Sequence, residues 1–511
     1  METYTEISTA AKAIVKAKSK EAFELYNRLW KEFSDEFNDW DAMYMIQAAK
    51  HSNYRVYGDL IPLVEKFKAD EKVTGNYGWY IFDLFVKSKD AVSLRGNEKP
   101  ILSLLELGLQ MDFSVPQDYP CTFTLSAFKL LDAFSDQASF NATKVKSYLK
   151  LLNPEFLSSK EESYTTTDGK EIVSASMKEK YYSKLSKALD KLDDYNNCIE
   201  VSRQGLKKID TFHYDNDLWF QYRIAKSELG LGNFDIAKGL FEELVKTRVG
   251  STKWFLFNEI AKIYFDNRDY ITAQNYSIKG LLLGEEIKLS KELYILQAKL
   301  FFRFEQLDNV KVIADLLNSF YLEEDKAKIS VESKKLLDFC KVTPENAYSL
   351  KEAKTIANEL FVNIRFEGAV VLKGEVVNIN KNGKSGLIVA ISGEKFGFKK
   401  QNFKKKQRDL QLLKGAKVSF FKSEDYTGKS VADIITIDEM QKSVSLGAKK
   451  NGKICGISDV GVFINFQSGE KGLIHKSKLP PNFQTKYKQG MLLNVKVNKE
   501  TNKGLDLLLD E

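Results

Sequence analysis

The densest grouping of chemically useful side chains in this sequence is a run of cations behind two phenylalanines. Phe396 and Phe398, in K-F-G-F, are followed by Lys399, Lys400, Lys404, Lys405, Lys406 and Arg408. Aromatic rings offer stacking platforms and clustered cations neutralise phosphates. A groove that tracks a single-stranded nucleic acid needs both. Two plainer readings apply to the same residues: the phenylalanines fill a core, and the lysines coat a solvated loop.

Catalytic chemistry finds no comparable grouping. The sequence has no GxxxxGK[ST] phosphate loop, no GxSxG and no HExxH. Its three histidines (His51, His213, His475) and four cysteines (Cys121, Cys198, Cys340, Cys455) are scattered, with no CxxC pair. That spacing implies no metal, no cofactor and no nucleophile pair, and it fits reduced thiols in a cytoplasmic protein. Glu285-Glu286 and Glu323-Glu324 read as solvated helix faces. A carboxylate-only nuclease site in the N-terminal third is the one enzymatic arrangement left open, with no motif in its favour. No apolar run approaches the roughly 20 residues that span a bilayer, and the first residues lack a signal-peptide pattern.

Charge is unevenly spread. From Arg365 to Glu511 there are 27 Lys and Arg against 15 Asp and Glu, so this end carries +12 of an overall +7 and the rest carries −5. A basic end on a mildly acidic body suits a polyanion ligand, although added solubility would explain the charge equally well.

These residues must be positioned by more than one domain, because 511 residues exceed what a single core holds. Up to Val362 apolar residues recur at helical spacing and prolines are scarce. Residues 1–177 read as irregular helix pairs, such as Trp40–His51 and Tyr57–Phe67. They are interrupted at Ser158–Ser176 by a polar loop or small hairpin with an Asp168-Gly169 turn. Residues 178–362 repeat. Tyr195/Cys198, Phe234/Ala237, Tyr270/Ala273 and Leu307/Val310 recur at intervals of 39, 36 and 37 residues. Ala225, Ala261 and Ala298 stand twelve residues before three of the small positions. Small residues let two helices cross closely, and the pattern resembles a tetratricopeptide repeat, whose usual period is about 34.

After Phe361 the pattern changes to short β-branched runs separated by glycine and lysine. GEVVNIN, GLIVAIS, KFGF, AKVSFF and KSVADIITI form one set of five, and GKICGI, GVFINF, KGLIH, LLNVKVN and GLDLLL a second. Two small barrels are implied, over residues 367–440 and 447–511. The predicted fold class is therefore multidomain α plus β: an N-terminal α-solenoid of tetratricopeptide-like helix pairs, then two five-stranded OB-type β-barrels.

The second set carries more detail. GKICGISDVGVFINFQSGEKGLIHKSKL, followed by YKQGMLLNVKVN, resembles an S1 RNA-binding domain from Gly452 to the chain end. Gly456, Gly461 and Gly472 permit the bends of a small barrel, and Val462, Ile464 and Ile474 should point inward. The resemblance implies that Phe463 and His475 lie on the outer strand face that meets RNA, with charge from Lys476 and Lys503. Core packing for Phe463 and a backbone-bonded turn for His475 are the competing readings. Val460 stands where the family often has an aromatic, and Asn498 and Lys503 where it often has Asp and Arg. The first set is similar to a cold-shock OB domain, with Gly386-Leu387-Ile388 in place of the family's aromatic pair.

Taken together these features imply an adaptor that is not an enzyme. Its barrels would bind single-stranded RNA with little sequence preference, and its helical repeats a protein partner. A protein-interaction scaffold whose barrels contact protein is the alternative.

Overall fold

A computed structural model describes the chain except residues 1–2, 110–120, 136–139, 167, 324–328, 345–346, 382, 405–406, 409–413, 440–446, 467–469, 502–503 and 511. The chain divides into two compact units, Met1–Phe361 and Val362–Glu511.

The first unit is helical. Two of its early helices start on side-chain caps: Thr3 and Glu6 form a capping box, and Asn38 accepts from the Trp40 and Asp41 amides. The polar insertion is a hairpin, β1 (Glu162–Thr165) against β2 (Glu171–Ser174), and Gly169 in its turn adopts φ +77°. One buried core runs from Ile7 to Phe220, so the change of pattern at 177–178 leaves no break in the packing.

The repeats are helix pairs: Met177–Lys191 with Tyr195–Lys208, Asn216–Gly230 with Phe234–Val245, Trp254–Asp266 with Tyr270–Leu282, and Ile287–Arg303 with Leu307–Glu323. The small residues sit at the crossings, and Ala225, Ala237, Ala261 and Ala273 are wholly buried. The pair that lacks the early alanine uses Ser186, whose carbonyl accepts from the Cys198 thiol at 3.4 Å. The aromatic or leucine that opens each second helix is placed differently from pair to pair. Tyr195 packs on Gly230 of the next pair, whereas Phe234 and Leu307 are more than half exposed.

The second unit holds two closed five-stranded barrels. The first comprises β3 (Leu372–Ile379), β4 (Ser385–Ala390), β5 (Lys395–Lys399), β6 (Lys417–Glu424) and β7 (Ser430–Glu439), in the order β3-β4-β5-β7-β6. The second comprises β8 (Lys449–Ser458), β9 (Gly461–Asn465), β10 (Lys471–His475), β11 (Leu492–Thr501) and β12 (Gly504–Leu509). Its order, read from its own first strand, is the same, and in each barrel the third and fifth strands pair in parallel. This shared topology is that of the OB fold. Val462, Ile464 and Ile474 fill the second core, as their alternation requires. Gly461 is obligatory there. Its φ is +149°, and a Cβ would stand 2.1 Å from the Ile474 carbonyl oxygen.

Candidate nucleic-acid interface

Strands β8, β9 and β10 present one outer face of the second barrel in three rows. Lys453, Asn465 and Lys471 are paired across the strands in the first row, and Gly456, Phe463 and Leu473 in the second. Ser458, Gly461 and His475 form the third. Phe463 is 39% exposed, so its ring belongs to this surface and not to the core.

His475 closes the face. Its Nδ1 accepts from the Ser477 amide at 3.3 Å and lies 2.9 Å from the Ser477 hydroxyl. A ring that accepts at Nδ1 carries its proton on Nε2, which leaves a donor for a ligand. The next residue, Lys476, donates its backbone N–H to the Val460 carbonyl at 2.9 Å. Val460 is itself half exposed, so the position that lacks an aromatic still offers an apolar edge.

Nearby carboxylates are already engaged. Lys449 pairs with Asp510 at 3.1 Å, Lys450 with Glu470, and Lys478 with Asp506 at 2.6 Å. Burial works to raise the Asp506 carboxyl. Hydrogen bonds from Lys478 and Asn498 outweigh it and hold the group below the ordinary carboxylate range. Asn498, standing at the expected Asp position, is thus a donor to Asp506 at 2.6 Å. Among the described residues Lys453, Lys471 and Lys476 have no acidic partner, which leaves two uncompensated cations in the row next to Phe463 and a third just after His475. Lys453 and Lys471 carry no family signature. They emerge only once the strand register is known. Lys503 lies outside the described residues.

In the first barrel the expected aromatic platform is absent. Phe396 and Phe398 are buried, edge-on to Phe420 and Phe403 at centroid distances of 5.1 and 5.4 Å. The reason is the phase of K-F-G-F-K: with the rings inward, Lys395, Gly397 and Lys399 face outward, opposite Val389, Leu387 and Ser385. These two phenylalanines are corrected from stacking residues to core residues.

The cations behind them remain at the surface. Lys399, Lys400, Lys404 and Arg408 are exposed, while Lys405 and Lys406 lie outside the described residues. The segment is stitched along β7. Phe403 bridges Ile435, the Lys404 amide donates to the Ile435 carbonyl at 2.9 Å, and the Gln407 side-chain amide makes two bonds to Ile437 at 2.8 and 3.1 Å. Arg408 Nε donates back to the Phe403 carbonyl at 2.9 Å. Among the described residues this segment therefore offers a line of charge without an exposed aromatic ring.

The helical unit carries an open cavity of about 510 Å³ along helix Tyr195–Lys208, lined in part by Arg203, Lys207, Glu228 and Leu231. Among the described residues no group of His, Cys, Asp or Glu is placed to hold a metal, and no helix is long and apolar enough to cross a membrane.

No known protein family matches the chain, and no curated protein is similar to it. Among solved structures it is similar to a multidomain protein with nucleic acid binding domains from Streptococcus pneumoniae. That likeness has 14% identity and a TM-score of 0.12, over 28% of this chain and 51% of that one, so the chain spans about half of that neighbour's length. It is also similar to yeast Tom70, at 14% identity and a TM-score of 0.26, over 71% of this chain and 82% of that one. A third likeness is to a Rap protein complexed with competence and sporulation factor, at 12% identity and a TM-score of 0.25, over 71% and 96%.

Proposed function

We propose that the chain is a non-catalytic RNA-binding adaptor. Its C-terminal barrel acts as an S1-type module and its preceding barrel as a cold-shock-like one that contributes charge alone. The observation that carries this reading is the exposed Phe463 ring on a strand face whose next row holds Lys453 and Lys471 and which ends at Lys476, none of these lysines having an acidic partner among the described residues. A base stacks on such a ring whatever its identity, and the lysines meet the flanking phosphates, so sequence preference is weak. The helical repeats then serve a protein partner, for which the cavity beside Arg203 and Lys207 offers a concave surface.

A salt titration with poly-U and with duplex RNA tests the reading. Single-strand preference is expected, with log affinity falling linearly in log salt at about 0.7 per phosphate neutralised. Weak binding to both forms that ignores salt would overturn it. Exposed Met491 and Leu492, at the edge of the second barrel, favour the other reading, in which that barrel docks on protein. Salt-insensitive behaviour would point there.

A further inference from the structure

Arg365 ends the helix Leu350–Arg365, and its side chain is held by residues of the first barrel. The guanidinium pairs with Asp433 at 3.1 Å and donates to the Ser423 hydroxyl at 3.1 Å. Beside it Phe366 stacks on Phe421, with centroids 4.5 Å apart and planes 13° from parallel. All of these residues belong to the Val362–Glu511 unit.

Asp433 uses both of its oxygens. One meets Arg365, and the other accepts from Asn402 Nδ2 at 3.0 Å and from the Ile434 amide at 2.9 Å. Ile434 has φ +49°, the left-handed region that a β-branched residue rarely enters. It lies where the β6–β7 pairing slips register, between Ser419 and Phe421. Strain of this kind persists only where the surroundings over-determine it, and such positions cluster at working sites. Asn402 in turn accepts from the Lys399 amide at 2.9 Å and closes the single turn Lys400–Asn402. Three contacts thus lead from Arg365 to the first lysine of the basic line.

We propose that Asp433 is a positioning residue for that line. Anchored by Arg365 and aimed by the strained Ile434 backbone, it holds Asn402, and through it fixes Lys399, Lys400 and Lys404 for a phosphodiester backbone. The inference rests on the RNA-binding reading above and narrows it. Among the described residues the aromatics that flank these lysines, Phe398 and Phe403, are buried, so this barrel takes phosphate without choosing a base or a strand form. A fixed row of cations neutralises several phosphates at once, whereas the same lysines on a loose loop lose entropy at each contact.

The full chain tests this, with poly-U as the probe. Asn402→Ala removes the link, and Asp433→Asn keeps the shape while removing the charge that Arg365 holds. Backbone amide exchange reports on the fold. Each variant is expected to bind about five- to tenfold more weakly at moderate salt, with a salt slope smaller by about 2, the loss of three phosphate contacts. Exchange should quicken at residues 399–404 while β3 to β7 stay protected. Neither change should weaken a Lys399→Glu/Lys400→Glu/Lys404→Glu variant further, since the device acts only through those lysines. If the triple variant loses affinity and the two link variants keep wild-type affinity and slope, the positioning role is overturned and the RNA reading stands. If the triple variant binds as the parent does, the basic line is not a site and the inference falls. A Phe463→Ala variant then decides the RNA reading separately.

Discussion

Phe463 lies against Gly456. The two are paired across β8 and β9, and a Cβ on Gly456 would stand 3.9 Å from Phe463 Cδ2, with Leu473 on the other flank. Because glycine has no side chain, one edge of the ring stays open. Phe463→Ala is therefore expected to weaken binding to oligo-U and oligo-C alike, by about 1–3 kcal/mol, the usual worth of one stacked base. Denaturation should change little, since the ring is partly in water already. Gly456→Ala should be tolerated at that ordinary contact distance, whereas Gly456→Leu should cover the ring and reproduce the binding loss. Anisotropy of labelled oligonucleotides, read beside urea midpoints, checks all three, and an unchanged affinity in Phe463→Ala would remove the ring from the interface.

Cys455 offers a footprint of the same face. It is exposed next to the β8 bulge that sets Gly456 opposite Phe463. Burial pushes the Cys198 thiol up, and it does the same to Cys340, so both stay protonated and slow to alkylate. Iodoacetamide at near-neutral pH is expected to label Cys455 first. Bound oligo-U should slow that labelling several-fold and leave Cys121 and Cys340 unaffected. Equal Cys455 rates with and without RNA, read by mass spectrometry, would take β8 out of the contact.

What could be read in the sequence follows from which constraints are local. Helix crossings need small side chains, so Ala225/Ala237 and Ala261/Ala273 announce the repeat. Ser186, which meets the same need opposite Cys198, does not stand out in an alanine pattern. The turns are less legible still. Asp193, Gly232, Arg268 and Glu305 all adopt the left-handed conformation two residues before each second helix, yet only one of them is glycine. Strand alternation correctly turned Val462 and Ile474 inward. The same alternation, read from the flanking lysines of K-F-G-F-K, would have sent Phe396 and Phe398 inward too. Lys453 and Lys471 could not be found this way: Gly456 marks where β8 can bend, but not which residues the resulting bulge sets opposite one another. The stitching of the basic segment to β7 uses the backbone of Phe403 and Lys404 and the side-chain amide of Gln407, and none of these contacts has a sequence signature.

The crossings of the repeats make their own test. Ala261 and Ala273 are wholly buried, as are Ala225 and Ala237, so no room exists for a larger side chain. Ala261→Leu is expected to cost about 1–3 kcal/mol through overpacking. Gly205→Ala should behave alike, since its Cβ would meet the buried Phe220 ring at 2.9 Å. Chemical denaturation followed by helical circular dichroism should show the loss. Oligo-U affinity at low denaturant should stay at the parent value, because the proposed RNA face is built from β8, β9 and β10. A fall in affinity equal to that of Phe463→Ala would place RNA on the helices instead.

Acid should weaken the helical unit at an identifiable pair. Lys146, on helix Ala142–Leu149, donates to Asp194 at 2.6 Å, at the entry to helix Tyr195–Lys208, and Asn197 donates to the same carboxylate at 2.8 Å. The Lys146 hydrogen bond, aided by Asn197 and by the lysine charge, holds Asp194 below the ordinary carboxylate range against a smaller effect of burial. A depressed value means that the unfolded chain binds the proton more readily, so acid favours unfolding. The contribution is complete above the unfolded value of about 3.9 and disappears as pH falls through the lower folded one. Asp194→Asn is thus expected to be less stable than the parent at pH 7. The gap should begin to close near pH 4 and continue closing as the pH is lowered further. Urea midpoints for both chains across that range decide it. A gap that stays constant, or widens in acid, would mean that the Lys146 pair does not set the stability of this helix junction.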